Sequence, residues 1–312
     1  MTGDGMEIIS EKRQDILFCS SLKDALFAAC GKEISIREKH PVHGGDANDA
    51  FRLVLSDGET LFLKTNSRSN SDFFRAEAEG IAAIASTGTV RVPYIHAAGT
   101  DGGLSFLLME YIESARPSAL FWEKLGHALA DMHAADTTGF LSKGKYGFNK
   151  DNYIGAGKQI NTPAGSWIEF FSECRLRPQF ELAEKYFDSD MIRKAGRLMD
   201  GLDRILFEPE KPALLHGDLW SGNFLSDEKG QPMLIDPAVY IGCSEADIAM
   251  TELFGGFDRR FYDSYFEAAG MIPGYEDRRD LYNLYHLTNH LNLFGSAYLS
   301  SVIRGIDRYC SR

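Results

Sequence analysis

Residues 214–238 constrain this chain more than any other stretch. Leu214-Leu215-His216-Gly217-Asp218-Leu219-Trp220-Ser221-Gly222-Asn223 runs into Phe224-Leu225, a polar turn Asp227-Glu228-Lys229-Gly230, and then Met233-Leu234-Ile235-Asp236-Pro237-Ala238. Asp218, Asn223 and Asp236 therefore stand at intervals of five and thirteen residues. Enzymes that move a phosphoryl group from ATP use such a set, one carboxylate to accept the proton and two oxygen ligands to hold magnesium. The apolar pieces on either side predict a short polar loop anchored into a core at both ends, which positioning chemistry requires.

Within that loop Asp218 is the candidate catalytic base, and a carboxylate suffices because phosphoryl transfer has a loose transition state. Asn223 offers a neutral oxygen to the metal and Asp236 an anionic one. Asp and Asn beside Gly217 and Gly222 also suit helix caps and Asx-turns. A turn alone does not account for the two apolar strand-like pieces that aim Asn223 and Asp236 at one place. His216, just before the glycine, is expected to brace the loop by hydrogen bonding.

Upstream, Phe51–Leu55 and Thr60–Lys64 read as two strands joined by a tight turn at Gly58, with Lys64 ending the second strand. A helix is expected over residues 71–85, where Phe74, Ala78, Ile81 and Ile84 recur at helical spacing. Glu77 on that helix is placed to pair with Lys64 and hold it toward nucleotide phosphates. Gly44 and Gly45 occupy the position of a loop over the nucleotide, although Asp46 and Asp49 would oppose a phosphate there, and a simple bend between strands fits equally. Met109, Glu110 and Tyr111 close another strand pair and form a candidate hinge against adenine.

The remainder reads as mainly helical, over about 119–135, 166–187, 192–206, 247–269 and 278–300, with a long glycine-bearing loop at 139–163. The expected fold is α+β and bilobal, with a β-rich nucleotide-binding lobe over 1–113 and a helical catalytic and acceptor-binding lobe over 114–312. A formal charge of −12 argues against a nucleic-acid footprint and tolerates a cationic substrate. Five cysteines without short paired spacing suggest neither a disulfide framework nor a zinc knuckle. The sequence lacks a stretch of membrane-spanning hydrophobicity, so a cytoplasmic setting is expected. No partner protein is indicated.

His216–Asn223 together with Ile235–Ala238 resembles the signature of the fructosamine kinase, or ketosamine kinase, family, a branch of the aminoglycoside phosphotransferase and choline kinase group. The resemblance extends through Phe62-Leu63-Lys64, Phe74–Glu77, Met109–Tyr111, Asp151–Gly155, Gln159, Asn161, Trp167, Phe171 and Arg175–Pro178, and covers nearly all of the chain. It implies a protein-kinase-like fold, ATP and Mg2+, and transfer to a sugar hydroxyl of a ketosamine, commonly the 3-hydroxyl. Asp218 would be the base, Asn223 and Asp236 the metal residues, Lys64 with Glu77 the phosphate clamp, and Asp151, Asn152 and Trp220 acceptor contacts. Two readings stand for Trp220, a platform for the amino sugar or a wedge packing the loop. For Arg175 and Arg177, salt bridges to acidic neighbours are expected over substrate contact. Pro237-Ala238 in place of Phe-Gly suits the small-molecule branch, and the Gly44-Gly45 loop carries no cysteine for a redox linkage. An aminoglycoside or choline-like alcohol is the alternative acceptor, and a catalytically silent nucleotide-binding scaffold would require metal residues that are damaged.

Overall fold

The computed structural model describes residues 16–42 and 48–310, so Gly44 and Gly45 lie outside the described residues. In chain order, β1 (Phe18–Cys19), α1 (Leu22–Cys30), β2 (Ile36–Pro41), β3 (Asp49–Leu55) and β4 (Thr60–Ser67) precede α2 (Ser71–Ala85), β5 (Ile95–Asp101), β6 (Leu104–Glu110) and α3 (Phe121–Ala134). There follow β7 (Asn152–Ile154), β8 (Gly157–Gln159), α4 (Trp167–Phe171), α5 (Arg177–Ala183) and α6 (Ser189–Asp200). The chain ends with β9 (Ala213–Leu215), β10 (Phe224–Ser226), β11 (Pro232–Leu234), β12 (Tyr240–Gly242), α7 (Glu245–Leu253), α8 (Arg259–Ala269), α9 (Tyr275–Phe294) and α10 (Leu299–Cys310). Two compact units result, residues up to Leu125 with Phe224–Pro237, and Gly126–Asn223 with Ala238–Arg312.

The first unit is built on a sheet ordered β1-β5-β6-β4-β3-β2, antiparallel except for the β1–β5 pair. Alternation along β4 sends Leu61 and Leu63 to one face, where they meet Leu53, Leu55, Phe106, Leu108 and the Ala25 and Leu26 side of α1. Phe62 faces the other way, toward the core formed by Phe74, Ala78 and Ile81 of α2 with Ile95, Leu107 and Met109. Lys64 has the parity of Phe62, which brings it under α2. The β10–β11 hairpin pairs Phe224 with Leu234 and packs its aromatic ring against Phe121 and Trp122, at 5.8 and 5.4 Å between ring centroids. Arg91 fastens the hairpin turn by reaching Asp227 at 2.5 Å. By these contacts the 224–237 segment belongs with the sheet, although the chain reaches it from within the helical part.

The second unit is mainly helical, with β9 paired to β12 and β7 to β8. Its core is aromatic: Trp167 is fully buried among Phe171, Tyr146 and Tyr282, at centroid distances of 5.3, 5.8 and 6.1 Å.

Helix α2 covers the residues its periodicity predicts, whereas several longer predicted helices are interrupted. The 166–187 segment breaks at a π-helical turn, Ser172–Leu176. Pro178 lacks the amide that would bond the Cys174 carbonyl, and the Arg175 guanidinium takes that carbonyl instead at 2.9 Å. The 247–269 segment divides into α7 and α8 at Gly255-Gly256, and 278–300 ends at Gly295 before α10 resumes. The 139–163 loop contains the β7–β8 hairpin. Lys64 lies within β4, which continues to Ser67, and does not end the strand. α1 escapes periodicity because its short apolar side buries only Ala25 and Leu26. Its ends are nevertheless specified, by the Ser21 side chain accepting from the Asp24 amide and by Gly31 at φ 66°.

Trp167→Ala is expected to cost about 3–5 kcal/mol, because so large a buried ring leaves a cavity its neighbours cannot fill. The denaturant midpoint of unfolding reads this directly, and an unchanged midpoint would contradict the placement of the core.

Candidate active site

The sheet unit assembles three of the predicted residues. Lys64 and Glu77 are both buried, and the Lys64 ammonium donates to Glu77 Oε1 at 2.7 Å and to Asp236 Oδ1 at 2.5 Å. Burial alone would depress the lysine, but the charges of Asp236 and Glu77 outweigh it and raise its pKa, so it stays cationic. Burial pushes the Glu77 carboxyl up, to about 6, against the opposing pull of Lys64. Asp236 is the one non-glycine residue with positive φ among those described, at 52°. A backbone held in that region costs about 1–3 kcal/mol and persists where surrounding structure dictates it, commonly at functional sites.

The predicted loop of the helical unit emerges from β9, whose Leu214 and Leu215 are fully buried. Gly217 turns the chain at φ 81°, and a Cβ there would fall 2.0 Å from the Ala238 carbonyl, so no other residue fits without displacement. Asn223 donates its amide to the Asp218 carbonyl at 2.8 Å and to the Asp218 carboxylate at 3.2 Å. Those bonds orient the carboxylate and identify Oδ1 of Asn223 as the atom suited to a cation. His216 is fully buried and accepts from the Asp218 amide at 3.3 Å through Nδ1, the bracing role its position implies.

One residue that holds this loop is absent from the sequence-level set. Asp247, in the first turn of α7, accepts from the main-chain amides of His216 at 2.7 Å and Gly217 at 2.9 Å. It also accepts from His133 Nε2 at 3.1 Å, and the Tyr265 hydroxyl fixes the other ring nitrogen of His133 at 2.8 Å. Burial would raise the Asp247 pKa, but the His133 hydrogen bond, the imidazole charges and the Gly217 amide hold it below the ordinary carboxylate range. An aspartate in a first helical turn looks like an N-terminal charge complement, so only long-range contacts distinguish it.

Two expected acceptor residues separate. Trp220 is 38% exposed, and its indole lies across Gly222, where a Cβ would come within 2.3 Å of the ring. Asn152 is buried, donating to the Val239 carbonyl at 2.8 Å and accepting from Gln159 and Asn161, both at 2.8 Å. Gln159 adds a bond to the Ala238 carbonyl at 2.9 Å. Asn152 is therefore a brace for the segment that follows Pro237, and its amide is committed to protein partners. Asp151 accepts from the Asn161 amide at 2.9 Å and meets Lys158 at 3.1 Å on the surface.

Arg175 departs from the expected salt bridge to acidic neighbours. It is fully buried, stacks on Tyr240 at 3.9 Å, and bonds the Ile160 carbonyl at 2.6 Å and Asn161 at 2.8 Å. A guanidinium surrounded by carbonyls and ring faces needs no carboxylate to offset burial. Arg177 does form the expected pair, with Glu173 at 2.6 Å. At the candidate hinge, Met109 is buried, Glu110 is engaged by Arg91 at 2.6 Å and by the Tyr94 amide at 3.2 Å, and Tyr111 lies under the Arg52 guanidinium.

A sheet unit with a lysine clamped by a helix glutamate, and a helical unit with an aspartate-asparagine loop anchored from below, define a phosphotransferase of the protein-kinase-like class. The fructosamine kinase family model matches residues 19–312. A protein-ribulosamine 3-kinase, chloroplastic, of Oryza sativa subsp. japonica is 44% identical over 89% of this chain and 80% of its own length. A candidate ketoamine kinase of Synechocystis is 41% identical over 86% of this chain and 88% of its own length. The crystal structure of a candidate fructosamine-3-kinase of Haemophilus somnus superposes with a TM-score of 0.83 at 29% identity, covering 93% of this chain and 96% of that one. The chain belongs to the fructosamine kinase family and is an ATP-dependent small-molecule kinase. Among the described residues, no helix is long and apolar enough to cross a membrane.

Asp247→Ala leaves the amides of His216 and Gly217 unpaired, and is expected to lower kcat about 10²-fold while nucleotide affinity is retained. Steady-state kinetics beside nucleotide titration test this; equal loss of both would refute the loop-bracing role. Glu77, raised to about 6, takes a proton as pH falls through that value, and Lys64 then loses one of its two carboxylate partners. For ATP, kcat/KM should therefore fall below about pH 6, and Glu77→Gln should flatten that limb.

Proposed function

We propose that this kinase transfers the γ-phosphoryl group of ATP to a sugar hydroxyl of a ketosamine, the 3-hydroxyl being the favoured position, on a glycated amine such as a fructosamine or ribulosamine. The observation that carries the reading is the Asp218–Asn223 pair on a loop anchored by Asp247, within a chain matched along 19–312 by the fructosamine kinase family.

In this reading Asp218 receives the acceptor's hydroxyl hydrogen-bond and then its proton. The sugar oxygen forms its bond to the γ-phosphorus as the bond from that phosphorus to the β–γ bridging oxygen breaks, and ADP leaves with the electron pair. Lys64, kept charged and extended by Glu77, binds phosphate oxygens and offsets their charge. Asn223 and Asp236 would supply one amide and one carboxylate oxygen, a donor set suited to Mg2+, which favours oxygen ligands. When bound, the ion neutralises charge on the nucleotide phosphates. The Lys64–Asp236 contact would then give way, with the lysine turning to phosphate and the carboxylate to the cation. We assign adenine to the main chain at Met109–Tyr111, and the acceptor to Trp220 and Asp151. A cytoplasmic setting, where ATP is abundant, agrees with this chemistry.

Asp218→Asn is expected to reduce kcat about 10²–10⁴-fold with nucleotide binding retained. An ATP-consumption screen over fructosyl-lysine, a ribulosamine, choline and an aminoglycoside, with phosphorus-coupled NMR of the product, should show transfer to the ketosamines at the 3-hydroxyl. Transfer to choline or the aminoglycoside alone would overturn the substrate assignment.

A further inference from the structure

An aromatic cluster in the helical unit has no part in the chemistry above. His286, His290 and Phe294 follow one another at four-residue steps along α9, so they form one stripe on that helix. The His290 ring stands 5.0 Å from Phe254, 5.4 Å from Phe294 and 5.1 Å from Tyr298. Phe254 and Phe294 are 42% and 53% exposed, an arrangement unlike that of a core. His290 itself is half-buried.

The hydrogen bonding of His290 defines what it offers. Its Nδ1 lies 2.8 Å from the His286 carbonyl, which can only accept, so Nδ1 carries the proton. Burial lowers the pKa of the ring, more than the carbonyl contact raises it, and the imidazole is neutral near pH 7. Nε2 is then a lone-pair acceptor, and among the described residues it has no hydrogen-bond partner. A neutral acceptor flanked by the exposed rings of Phe254 and Phe294 and the partly buried ring of Tyr298 favours a cationic N–H donor, which gains a charge-assisted hydrogen bond and attraction to the rings together.

The cluster is tied to the catalytic loop. Phe254 closes α7 and is followed by Gly255 and Gly256, and Gly256 packs so closely on Ser221 that a Cβ would meet the Ser221 Cβ at 2.5 Å. Gly256 also sits at φ 94°, so the contact is specific to glycine. Ser221 is flanked by Trp220 and Gly222, three residues beyond Asp218.

We propose that Phe254, His290, Phe294 and Tyr298 form the subsite for the amine side of the acceptor, with His290 Nε2 accepting from the protonated secondary amine and the three rings enclosing its alkyl chain. The assignment rests on the ketosamine reading and deepens it, by naming what distinguishes a glycated lysine side chain from a bare ketose. Specificity for the amine and chemistry at the sugar hydroxyl then reside in different side chains. The aromatic rings are tolerant of the chain beyond the amine, since cation–π contact and apolar packing are weakly directional, whereas the hydrogen bond to Nε2 demands the N–H.

The test compares fructosyl-lysine with 1-deoxyfructose, which presents the same hydroxyls without the amine. His290→Phe keeps an aromatic ring and removes only the acceptor, and thermal melting checks that the variant folds. It is expected to lower kcat/KM for fructosyl-lysine roughly ten- to a hundredfold, through KM, while leaving 1-deoxyfructose unchanged. Phe294→Ala should act in the same direction. Equal losses on both acceptors, or no loss on either, overturn the subsite. If the wild-type enzyme phosphorylates no ketosamine, the substrate reading fails by itself, and the subsite is then decided by titrating Nε-methyl-lysine amide against the His290 Hε1 resonance. A saturable shift that His290→Phe abolishes, with Phe294→Ala weakening the binding, supports the subsite, and no shift overturns it.

Discussion

The carboxylate of Asp247 is buried almost out of reach of water, and the helical unit is organised around satisfying it. An isolated charge there would be prohibitive, but the amides of His216 and Gly217 and the His133 imidazole supply hydrogen bonds from three directions. The same bonds that stabilise the carboxylate fix the backbone from which Asp218 projects. Satisfying a buried acceptor and positioning the candidate base are thus one structural event. Tyr265 extends the arrangement by holding the other ring nitrogen of His133.

The sheet unit uses charge in a different way. Lys64 sits between Glu77 and Asp236, so a buried cation is surrounded by more negative charge than it carries. The excess keeps the lysine protonated, while burial, with the Asp236 charge adding to it, raises the Glu77 pKa. Such a group is suited to an anionic ligand arriving with a cation, because the incoming charges can take over each protein contact in turn. The left-handed backbone of Asp236 shows that its position is imposed by the elements on either side, the β10–β11 hairpin before it and Pro237 after it.

Much of this was legible in the residues. The loop from His216 to Asn223 and the pairing of Lys64 with Glu77 follow from local apolar anchoring and from the alternation of a strand against the periodicity of a helix. Asn152 and Arg175 were harder. The family resemblance implies an acceptor contact for Asn152, yet its amide closes a network with Gln159, Asn161 and the carbonyl of Val239. A buried arginine looks like a surface one in sequence, because nothing local announces the ring of Tyr240 beneath it. Helix breaks at the π-turn and at Gly255-Gly256 were likewise hidden inside continuous apolar periodicity.

The amino-acid sequence alone determined the identity and spacing of the candidate reacting groups, the α+β class, and the short-range elements that carry Lys64, Glu77, Asp218, Asn223 and Asp236. These depend on interactions within a few residues, where periodicity and turn chemistry are decisive. The tertiary structure decided which polar residues are committed to protein partners as braces, and it gathered Phe254, His290, Phe294 and Tyr298 into one partly exposed cluster. Whether a polar atom already has a partner depends on contacts between segments distant in the chain, as with Asp247 and His216 or Tyr285 and Gln159, and no local pattern encodes them.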